Sequence, residues 1–349
     1  MTIPIQNIYY LLCYAWNKMQ EKEIIDVSHS DYDQLPDILA KVLISGCNRL
    51  VKQGFDRNYR ESIELYAGIK GKLDFNESIK TQAFPFGKSV CCFDEFSHDI
   101  LPNRLLKGTM LILYKIKELD KELRYQMRET INHFHGVLDV IPSISDFHRV
   151  HIHRNNSFYD FLLKICLLIT EHISLDEKTG NYKFRDLLRD QKTMQSIFEK
   201  FVYNFYSIRQ SNFKVKSERI YWNAIPINQS KTEYIPSMCT DLSLTSKERK
   251  IVMDTKYYQD SLTMNRFDDL KFHSANLYQI YSYLKNLEQV ANPISNRNAS
   301  GILLYPTTSI ELNESFLIDN HHISVCTINL STGWRKIEDR LIELLILNT

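Results

Sequence analysis

The chain has 349 residues, more than the roughly 250 to 300 at which a single hydrophobic core usually stops growing, so we expect two domains. Hydrophobic residues make up 44% and charged residues 24% of the sequence, and glycine and proline number only ten and nine, which excludes disordered, collagen-like and low-complexity chains. The formal net charge of +1 excludes a positive field over the whole chain, so any surface for nucleic acid must be local.

Cysteine usage and hydropathy indicate a protein of a reducing compartment that has no membrane-spanning segment. The seven cysteines show no regular spacing, and Cys91 and Cys92 are adjacent, which favours free thiols. The apolar run 8–16 lacks the preceding basic residues of a secretory signal, since Lys18 is the first basic residue. Even the apolar stretch 161–170 contains a lysine and falls short of the ~20 residues that cross a bilayer. We therefore expect a soluble, cytoplasmic protein with no membrane contact.

The first half of the chain mixes helices with short strands. Apolar residues recur at helical spacing after Pro36, and a longer amphipathic region follows Asn103. Gly68 and Gly71 separate extended pieces. The predicted elements are, in chain order, a helix over 36–52, strands within 61–75 and 88–96, a helical hairpin over 104–134 and a helix over 157–172.

A polar segment, 174–181, contains Gly180 and indicates a linker, so we predict domains at 1–172 and 173–349. The second half then follows the order helix, three strands, helix, two strands, helix, which is typical of a mixed α/β fold. The predicted helices are 190–208, 274–287 and 335–347, and the predicted strands are 213–222, 236–245, 250–258, 301–306 and 321–330.

The chemistry of this half is concentrated in a predicted hairpin over 238–256. Twelve residues separate Asp241 from Asp254, enough for two short antiparallel strands that bring the two carboxylates together. Strand periodicity places Asp254 and Lys256 on the same face. Two carboxylates repel each other unless a cation lies between them, and Mg²⁺ accepts carboxylate, backbone carbonyl and water oxygens. We therefore predict a Mg²⁺ site formed by Asp241, Asp254 and the carbonyl of Thr255, with Lys256 orienting water or stabilising phosphate charge.

This spacing is the PD-(D/E)xK nuclease pattern, written here as Asp241, twelve residues, and Asp254-Thr255-Lys256. The pattern alone is weakly specific, because aspartate and lysine are also common on a solvated hairpin edge. The surrounding sequence VMDTKYY is apolar and aromatic, and an Asp buried there without a partner such as a metal ion would be costly. This context favours the nuclease interpretation. The literal Pro-Asp dipeptide is missing, since Pro236 lies five residues before Asp241.

The two flanking helices supply further candidate catalytic residues. Glu199 lies at the edge of an apolar helical stripe and is predicted as a third acidic group, with an ordinary boundary glutamate as the alternative. On the later helix, Asn276, Gln279 and Tyr283 share one face, and Gln279 is predicted to contact a phosphate or to support Lys256.

Three other patterns do not indicate a site. FGKS at 86–89 resembles the end of a phosphate-binding loop, but Gln82 stands where that loop requires glycine. A histidine cluster lies between arginines without a cysteine pair to complete a zinc site. Cys239 has no evident histidine base for nucleophilic catalysis. The clustered histidines are His148, His151 and His153.

Blocks along nearly the whole chain resemble the McrC proteins, the nuclease subunits of McrBC modified-cytosine restriction systems. Their joint order and spacing are more specific than the nuclease motif alone. In the first half the matching blocks are IPIQNIYYLLCYAW, GIKGKLDF and CCFDEFSHDILPNRLLK. In the second half they are YKFRDLLRD, MQSIFEKF, TDLSL, IVMDTKYY, FHSANLYQIYSYL and GILLYP. The glutamine and tyrosine four residues apart, Gln279 and Tyr283, also resemble the pattern of RecB-like nucleases.

The resemblance implies a division of labour between two proteins. The N-terminal half would dock in the pore of a hexameric McrB-like AAA+ GTPase ring and stimulate GTP hydrolysis, so GTP is bound by the partner and not by this chain. The C-terminal half would cleave double-stranded DNA containing modified cytosine, with nuclease domains pairing between two complexes. The metal and catalytic roles of the family carry over to Asp241, Asp254 and Lys256, and less directly to Glu199 and Gln279.

The sequence therefore predicts an α/β (α+β) protein with a mixed N-terminal assembly domain followed by a PD-(D/E)xK restriction-endonuclease-like domain. Its predicted activity is Mg²⁺-dependent DNA cleavage as the endonuclease subunit of a GTP-dependent McrBC-like system. Two alternatives stay open. One is a non-catalytic adaptor that only activates a GTPase ring, and the other is a stand-alone DNA repair nuclease.

Overall fold

The chain forms two compact units in a computed structural model. The C-terminal unit contains the described part of Met1–Lys22 together with that of Asp186–Thr349, and the N-terminal unit contains the described part of Ser30–Arg185. Within the described residues, no helix is long and apolar enough to span a membrane. The structure describes residues 3–20, 34–151, 156–175, 182–258, 262–264, 270–290, 294–308 and 311–346.

The predicted mixture of helices and sheets is confirmed. The helices are α1 Ile5–Ala15, α2 Leu35–Gln53, α3 Phe75–Lys80, α4 Leu101–Tyr114, α5 Lys121–Asn132, α6 Ile144–His148, α7 Ser157–His172, α8 Gln191–Arg209, α9 Ser274–Glu288 and α10 Trp334–Leu344. The strands are β1 Asn58–Ala67, β2 Lys72–Leu73, β3 Lys88–Ser97, β4 Ile173–Leu175, β5 Tyr182–Phe184, β6 Lys214–Lys216, β7 Arg219–Ile220, β8 Met238–Cys239, β9 Leu242–Thr245, β10 Lys250–Thr255, β11 Leu262–Met264, β12 Leu270–Phe272, β13 Ser300–Thr307, β14 Asn313–Ile318 and β15 His321–Asn329.

The N-terminal unit combines a helical core with a small antiparallel sheet. Helices α2, α4, α5 and α7 pack together because each buries an apolar stripe. Gly46 permits the close approach of α2 to α7, since a Cβ at this position would lie 2.4 Å from Leu162. The sheet has the order β1-β3-β2, and β1 pairs with β3 from Asn58 opposite Ser97 to Ala67 opposite Lys88. β1 has no buried residue along its length, so the strand is exposed almost throughout.

The C-terminal unit is built on a six-stranded mixed sheet of order β14-β15-β13-β10-β9-β6. Strands β10, β13 and β15 are parallel, while β6, β9 and β14 run antiparallel to their neighbours. Helix α9 packs on β10 and β13, and Gly301 allows this approach because an added Cβ would lie 2.7 Å from Ile280. Helix α8 contacts β10 and also packs against α1. The sheet therefore presents β10 between two helices of the same unit.

The N-terminal helix α1 belongs to the C-terminal unit, a difference from the predicted domain of residues 1–172. The ring of Tyr14 lies 5.6 Å from that of Phe201 and 5.7 Å from that of Trp334, measured between centroids. Asn7 donates hydrogen bonds to the carbonyls of Leu330, at 2.7 Å, and of Thr332, at 2.8 Å. These contacts join residues more than 180 positions apart, and a local sequence pattern does not report them.

The boundary between the units also lies later than expected. Strand β4 pairs with β5, with Ile173 opposite Phe184, so the hairpin closes the N-terminal unit and the chain passes to the other unit between Arg185 and Asp186. Residues 176–181 of the predicted linker lie outside the described residues. The boundary lies after position 172 because β5 pairs with β4 and therefore belongs to the same unit.

Several predicted strands divide where the chain changes partner. The stretch 213–222 contains β6 in the six-stranded sheet and β7 in a separate pair with β8. The stretch 236–245 divides in the same way into β8 and β9. Strand β14 was not predicted, because all six of its residues are exposed and it lacks the apolar alternation of a half-buried strand.

Candidate active site

The predicted hairpin around the two aspartates is confirmed. Strand β9 pairs antiparallel with β10, with Lys250 opposite Thr245 and Met253 opposite Leu242. The connecting turn closes with a 2.8 Å hydrogen bond from the Ser246 amide to the Arg249 carbonyl. All six residues of β10 are buried, as expected for a strand with neighbours on both edges.

Asp241 lies one residue before β9 and is held against the end of β10. Its Oδ2 accepts hydrogen bonds from the backbone amide of Thr255, at 2.7 Å, and from the Thr255 hydroxyl, at 2.8 Å. The side chain of Asp241 therefore occupies the place of a strand partner beyond the end of β9. This contact brings the side chain of Asp241 close to Asp254 on β10, as the spacing predicts.

Asp254 is the most deeply buried charged group of the hairpin, with 0% exposure. Its Oδ2 lies 2.8 Å from Nζ of Lys256, which makes an ion pair. Its Oδ1 has no hydrogen-bond partner among the described residues. A buried carboxylate oxygen without a donor costs folding free energy, so its presence points to a ligand that supplies positive charge.

The electrostatic environment of Asp254 opposes ionisation of the carboxyl. Burial, followed by the charge of Asp241, raises the pKa of Asp254 to about 7, although Lys256 acts in the opposite direction. A divalent cation would reverse this effect because it favours the ionised form. The carboxyl is therefore arranged to be charged when a metal is present.

The raised pKa leads to a prediction about stability. Between the ordinary value of 3.8 and about 7, folded Asp254 retains a proton that the unfolded chain releases, so the free energy of unfolding falls as the pH rises through this window. Asp254→Asn removes the titration, and the difference in Tm between the variant and the wild type should grow from about pH 4 to about pH 8.

Thermal unfolding in EDTA at several pH values measures this difference. The ion pair with Lys256 forms only when Asp254 is ionised, so its effect is already contained in the pKa of Asp254 and adds no separate dependence on pH. A difference in Tm that is independent of pH would contradict the raised pKa of Asp254.

Lys256 points into the same site, as the strand periodicity predicts. Besides its ion pair with Asp254, its Nζ donates a 3.1 Å hydrogen bond to Oε1 of Gln279, and the side chain is 16% exposed. Burial opposes the charge of Lys256, but the attraction of Asp254 outweighs it, and the net effect raises the pKa of the lysine. Lys256 is therefore a protonated ammonium at neutral pH with limited freedom to move.

Helix α9 supports Lys256 through a chain of hydrogen bonds. Nε2 of Gln279 donates to the Tyr283 hydroxyl at 2.6 Å, and that hydroxyl donates to the carbonyl of Cys239 at 2.8 Å. Asn276 donates to the Tyr305 hydroxyl at 2.9 Å. Tyr283 and Asn276 are buried and so form the interior part of this face. Of the two roles predicted for Gln279, the structure displays the support of Lys256, because Gln279 accepts the hydrogen bond from that lysine.

Glu199 is half-buried on α8 and lies near the other charged groups. Burial, followed by the charge of Asp241, raises the pKa of Glu199, while Lys256 lowers it. Among the described residues, however, no three His, Cys, Asp or Glu side chains come together closely enough to hold a metal. The charge of Glu199 therefore interacts with the charges of the site, but its side chain does not complete a cluster of three carboxylates.

A residue that the sequence analysis missed is Gln195, one helical turn before Glu199. Its Nε2 donates to the carbonyl of Thr255 at 2.8 Å, and its Oε1 accepts from the amide of Tyr257 at 2.5 Å. A spacing of four residues places Gln195 and Glu199 on the same face of α8, and this spacing was the available signal.

The donor set fits Mg²⁺. This ion binds through one or two carboxylates and retains several waters, so Asp241 and Asp254 do not need a third acid. The Thr255 carbonyl accepts one hydrogen bond from Gln195 and keeps its second lone pair for a cation. The unpartnered Oδ1 of Asp254 would be a further oxygen donor for such an ion.

The described residues of the rejected patterns contribute no side chain to the hydrogen bonds of the site. Gly87 follows a short turn, Phe84–Phe86, in the N-terminal unit, with φ of 66°, and does not open a long helix. His153 lies outside the described residues, so the full histidine cluster is not described. Cys239 contributes its carbonyl, and not its thiol, to the hydrogen bond with Tyr283.

Comparison with known proteins finds a family model and a similar protein that each match most of the chain. The family described as "McrBC 5-methylcytosine restriction system component" matches residues 6–306. The chain is 31% identical over 342 residues to the Escherichia coli (strain K12) protein described as "Type IV methyl-directed restriction enzyme EcoKMcrBC", covering 98% of this chain and 97% of that protein.

A solved structure from Thermococcus gammatolerans supports the fold. It is described as the "Refined half-complex from tetradecameric assembly of Thermococcus gammatolerans McrB AAA+ hexamers with bound McrC". The match covers 99% of this chain and 76% of the other, with a TM-score of 0.59 and 15% identity. At this identity the similarity establishes a common architecture.

Proposed function

Because this chain belongs to the family of McrBC 5-methylcytosine restriction system components, we propose that it is the endonuclease subunit of such a system, cutting DNA with Mg²⁺. The observation that carries this function is the buried Asp254, which has an unpartnered Oδ1 beside the ammonium of Lys256. A carboxylate in this state is suited to binding a cation. Asp241 adds the second carboxylate.

The side chains of the site divide the work of phosphodiester hydrolysis. Mg²⁺ held by Asp241, Asp254 and the Thr255 carbonyl would stabilise charge on the phosphate and favour ionisation of water. The ammonium of Lys256 orients the attacking water or stabilises the developing phosphate charge. Gln279 limits the positions that this ammonium can take, which reduces the entropy lost on reaching the reactive geometry. Glu199 adds negative potential near the cation.

The N-terminal unit supplies a surface for a partner protein. The E. coli relative is named as part of a methyl-directed restriction enzyme, and the solved relative contains McrB AAA+ hexamers. We propose that this chain likewise binds a AAA+ GTPase ring and stimulates it through the sheet of β1 and β3. Large apolar side chains that a monomer would not normally leave in water support this site. They are Tyr59, Ile63, Leu65, Tyr66, Phe86 and Phe96, which are 71, 62, 53, 43, 77 and 55% exposed.

The two alternative functions explain less of the molecule. An adaptor that only activates a GTPase has no need for a buried carboxylate with an unpartnered oxygen beside a lysine. A stand-alone repair nuclease leaves the exposed apolar sheet of the N-terminal unit without a role. The proposed target is double-stranded DNA with modified cytosine in the cytoplasm, cut by nuclease domains that pair between two complexes.

We predict that the chain alone cuts DNA poorly or not at all. Its charge of +1 offers little attraction to phosphates, and neutralisation of several phosphates is the usual source of non-specific affinity. Methylated plasmid with Mg²⁺ is incubated with the chain, with and without the GTPase partner and GTP. Cleavage only in the complete mixture is expected. Efficient cutting by the lone chain would favour the stand-alone nuclease, and intact plasmid in the complete mixture would favour the adaptor.

A further inference from the structure

Strand β10 continues beyond its antiparallel neighbour at the point where the site begins. The pairing with β9 ends at Met253 opposite Leu242, so the backbone groups that follow on this edge have no strand partner. On the other edge, parallel pairing continues, and the amide of Lys256 donates to the carbonyl of Leu304 at 2.9 Å. The segment that carries Lys256 would therefore be tethered on one edge only, unless side chains replace the missing strand.

Two side chains make this replacement. Asp241 accepts the amide of Thr255, and the amide group of Gln195 pairs with both the carbonyl of Thr255 and the amide of Tyr257. One residue of a neighbouring parallel strand would bond to the two residues on either side of its counterpart, through its N–H and its C=O. The side-chain amide of Gln195 does the same, since it bonds to Thr255 and Tyr257 on either side of Lys256. With Leu304 on the opposite edge, the backbone of Lys256 is held from both sides.

We infer that Gln195 is a positioning residue. It orients the carbonyl of Thr255 toward the proposed metal site and holds in place the backbone from which the Lys256 side chain extends. This role rests on the proposed nuclease function. Gln195 touches neither the phosphate nor the cation and acts through the backbone of β10. Partners of metal ligands commonly contribute 10- to 100-fold to metal affinity or activity, and a carbonyl ligand needs such a partner because its own side chain cannot orient it.

The neighbouring Gln191 provides a matched control on the same helix. It lies one turn earlier on α8, and its Nε2 donates a single 3.2 Å hydrogen bond to the carbonyl of Tyr257. Its side chain is exposed, whereas that of Gln195 is half-buried. Gln191 does not contact the carbonyl of Thr255 in the structure, so only Gln195 is expected to influence the metal site.

The test compares Gln195→Met with Gln191→Met, since methionine has a similar shape but forms no amide hydrogen bonds. In the complete mixture with the partner and GTP, Gln195→Met should lower kcat for plasmid cleavage by roughly 10- to 100-fold and leave KM for DNA unchanged. Gln191→Met should retain wild-type kcat. A loss of general packing would instead lower Tm without this separation of kcat from KM.

A second measurement does not depend on cleavage. Mn²⁺ is titrated into the full chain alone and binding is followed by electron paramagnetic resonance. The affinity should fall about tenfold in Gln195→Met and remain at the wild-type value in Gln191→Met. Equal kcat and equal Mn²⁺ affinity in both variants would overturn the role of Gln195. Absence of Mn²⁺ binding and cleavage in the wild type would instead overturn the proposed nuclease function.

Gln195→Glu keeps the inference testable if the methionine variant unfolds. The carboxylate still accepts from the Tyr257 amide but presents an oxygen to the Thr255 carbonyl, so half of the clamp is lost and the other half is kept. A loss of kcat of the same size is expected in this variant. Its Mn²⁺ affinity is not used as a readout, because the added carboxylate itself attracts cations. Wild-type kcat in Gln195→Glu would overturn the positioning role of Gln195.

Discussion

Replacing Asp254 by Asn is expected to abolish DNA cleavage and to leave stimulation of the partner GTPase intact. The substitution keeps the shape of the buried side chain but removes its negative charge and thereby a metal ligand. Several kcal/mol of transition-state stabilisation depend on the cation, which corresponds to a rate loss of about 10³-fold. Reconstituted complexes with supercoiled methylated plasmid, GTP and Mg²⁺ measure cleavage, and release of inorganic phosphate measures GTP hydrolysis.

Asp319→Asn is the matched control in the same unit. Asp319 is exposed and accepts a hydrogen bond from the Tyr281 hydroxyl at 2.5 Å, away from the hairpin of β9 and β10. This variant should cleave at the wild-type rate. Wild-type cutting by Asp254→Asn would remove Asp254 from the catalytic site, and loss of both cleavage and GTPase stimulation would show that the substitution acts through folding.

A double change on β1, Ile63→Ser with Leu65→Ser, should greatly weaken GTPase stimulation and, as a consequence, DNA cleavage. The two side chains are 62 and 53% exposed and lie two residues apart, on one face of the strand. Apolar residues central to an interface contribute about 2 kcal/mol or more each, so the affinity for the ring should fall by more than about 100-fold. GTP hydrolysis is measured against increasing concentrations of the variant chain.

The control for this change carries Tyr125→Ser and Ile141→Ser. These residues belong to the same unit and are 63 and 78% exposed, but they lie outside the sheet. Both double variants should retain the wild-type Tm, because exposed side chains contribute little to folding. Equal stimulation by the two variants would place the partner surface elsewhere on the chain.

The sequence alone was sufficient to predict the hairpin that carries the candidate site and the arrangement of its charged side chains. Asp254 and Lys256 share a face because a strand alternates with a period of two, and apolar neighbours on both sides imply burial of that strand. The twelve intervening residues imply the hairpin that brings Asp241 alongside. Helices α2, α7, α8 and α9 were predicted near their observed bounds for a similar reason, since their apolar stripes repeat within one or two turns.

Tertiary structure decided the features that depend on distant partners. Helix α1 joins the C-terminal unit because Tyr14 packs on rings of α8 and α10, which lie about 190 and 320 residues away. The role of Gln195 depends on where β9 ends, since only then do the carbonyl of Thr255 and the amide of Tyr257 lack a strand partner. Local patterns determine which face of an element is apolar, whereas pairing and packing between remote segments determine which element covers it.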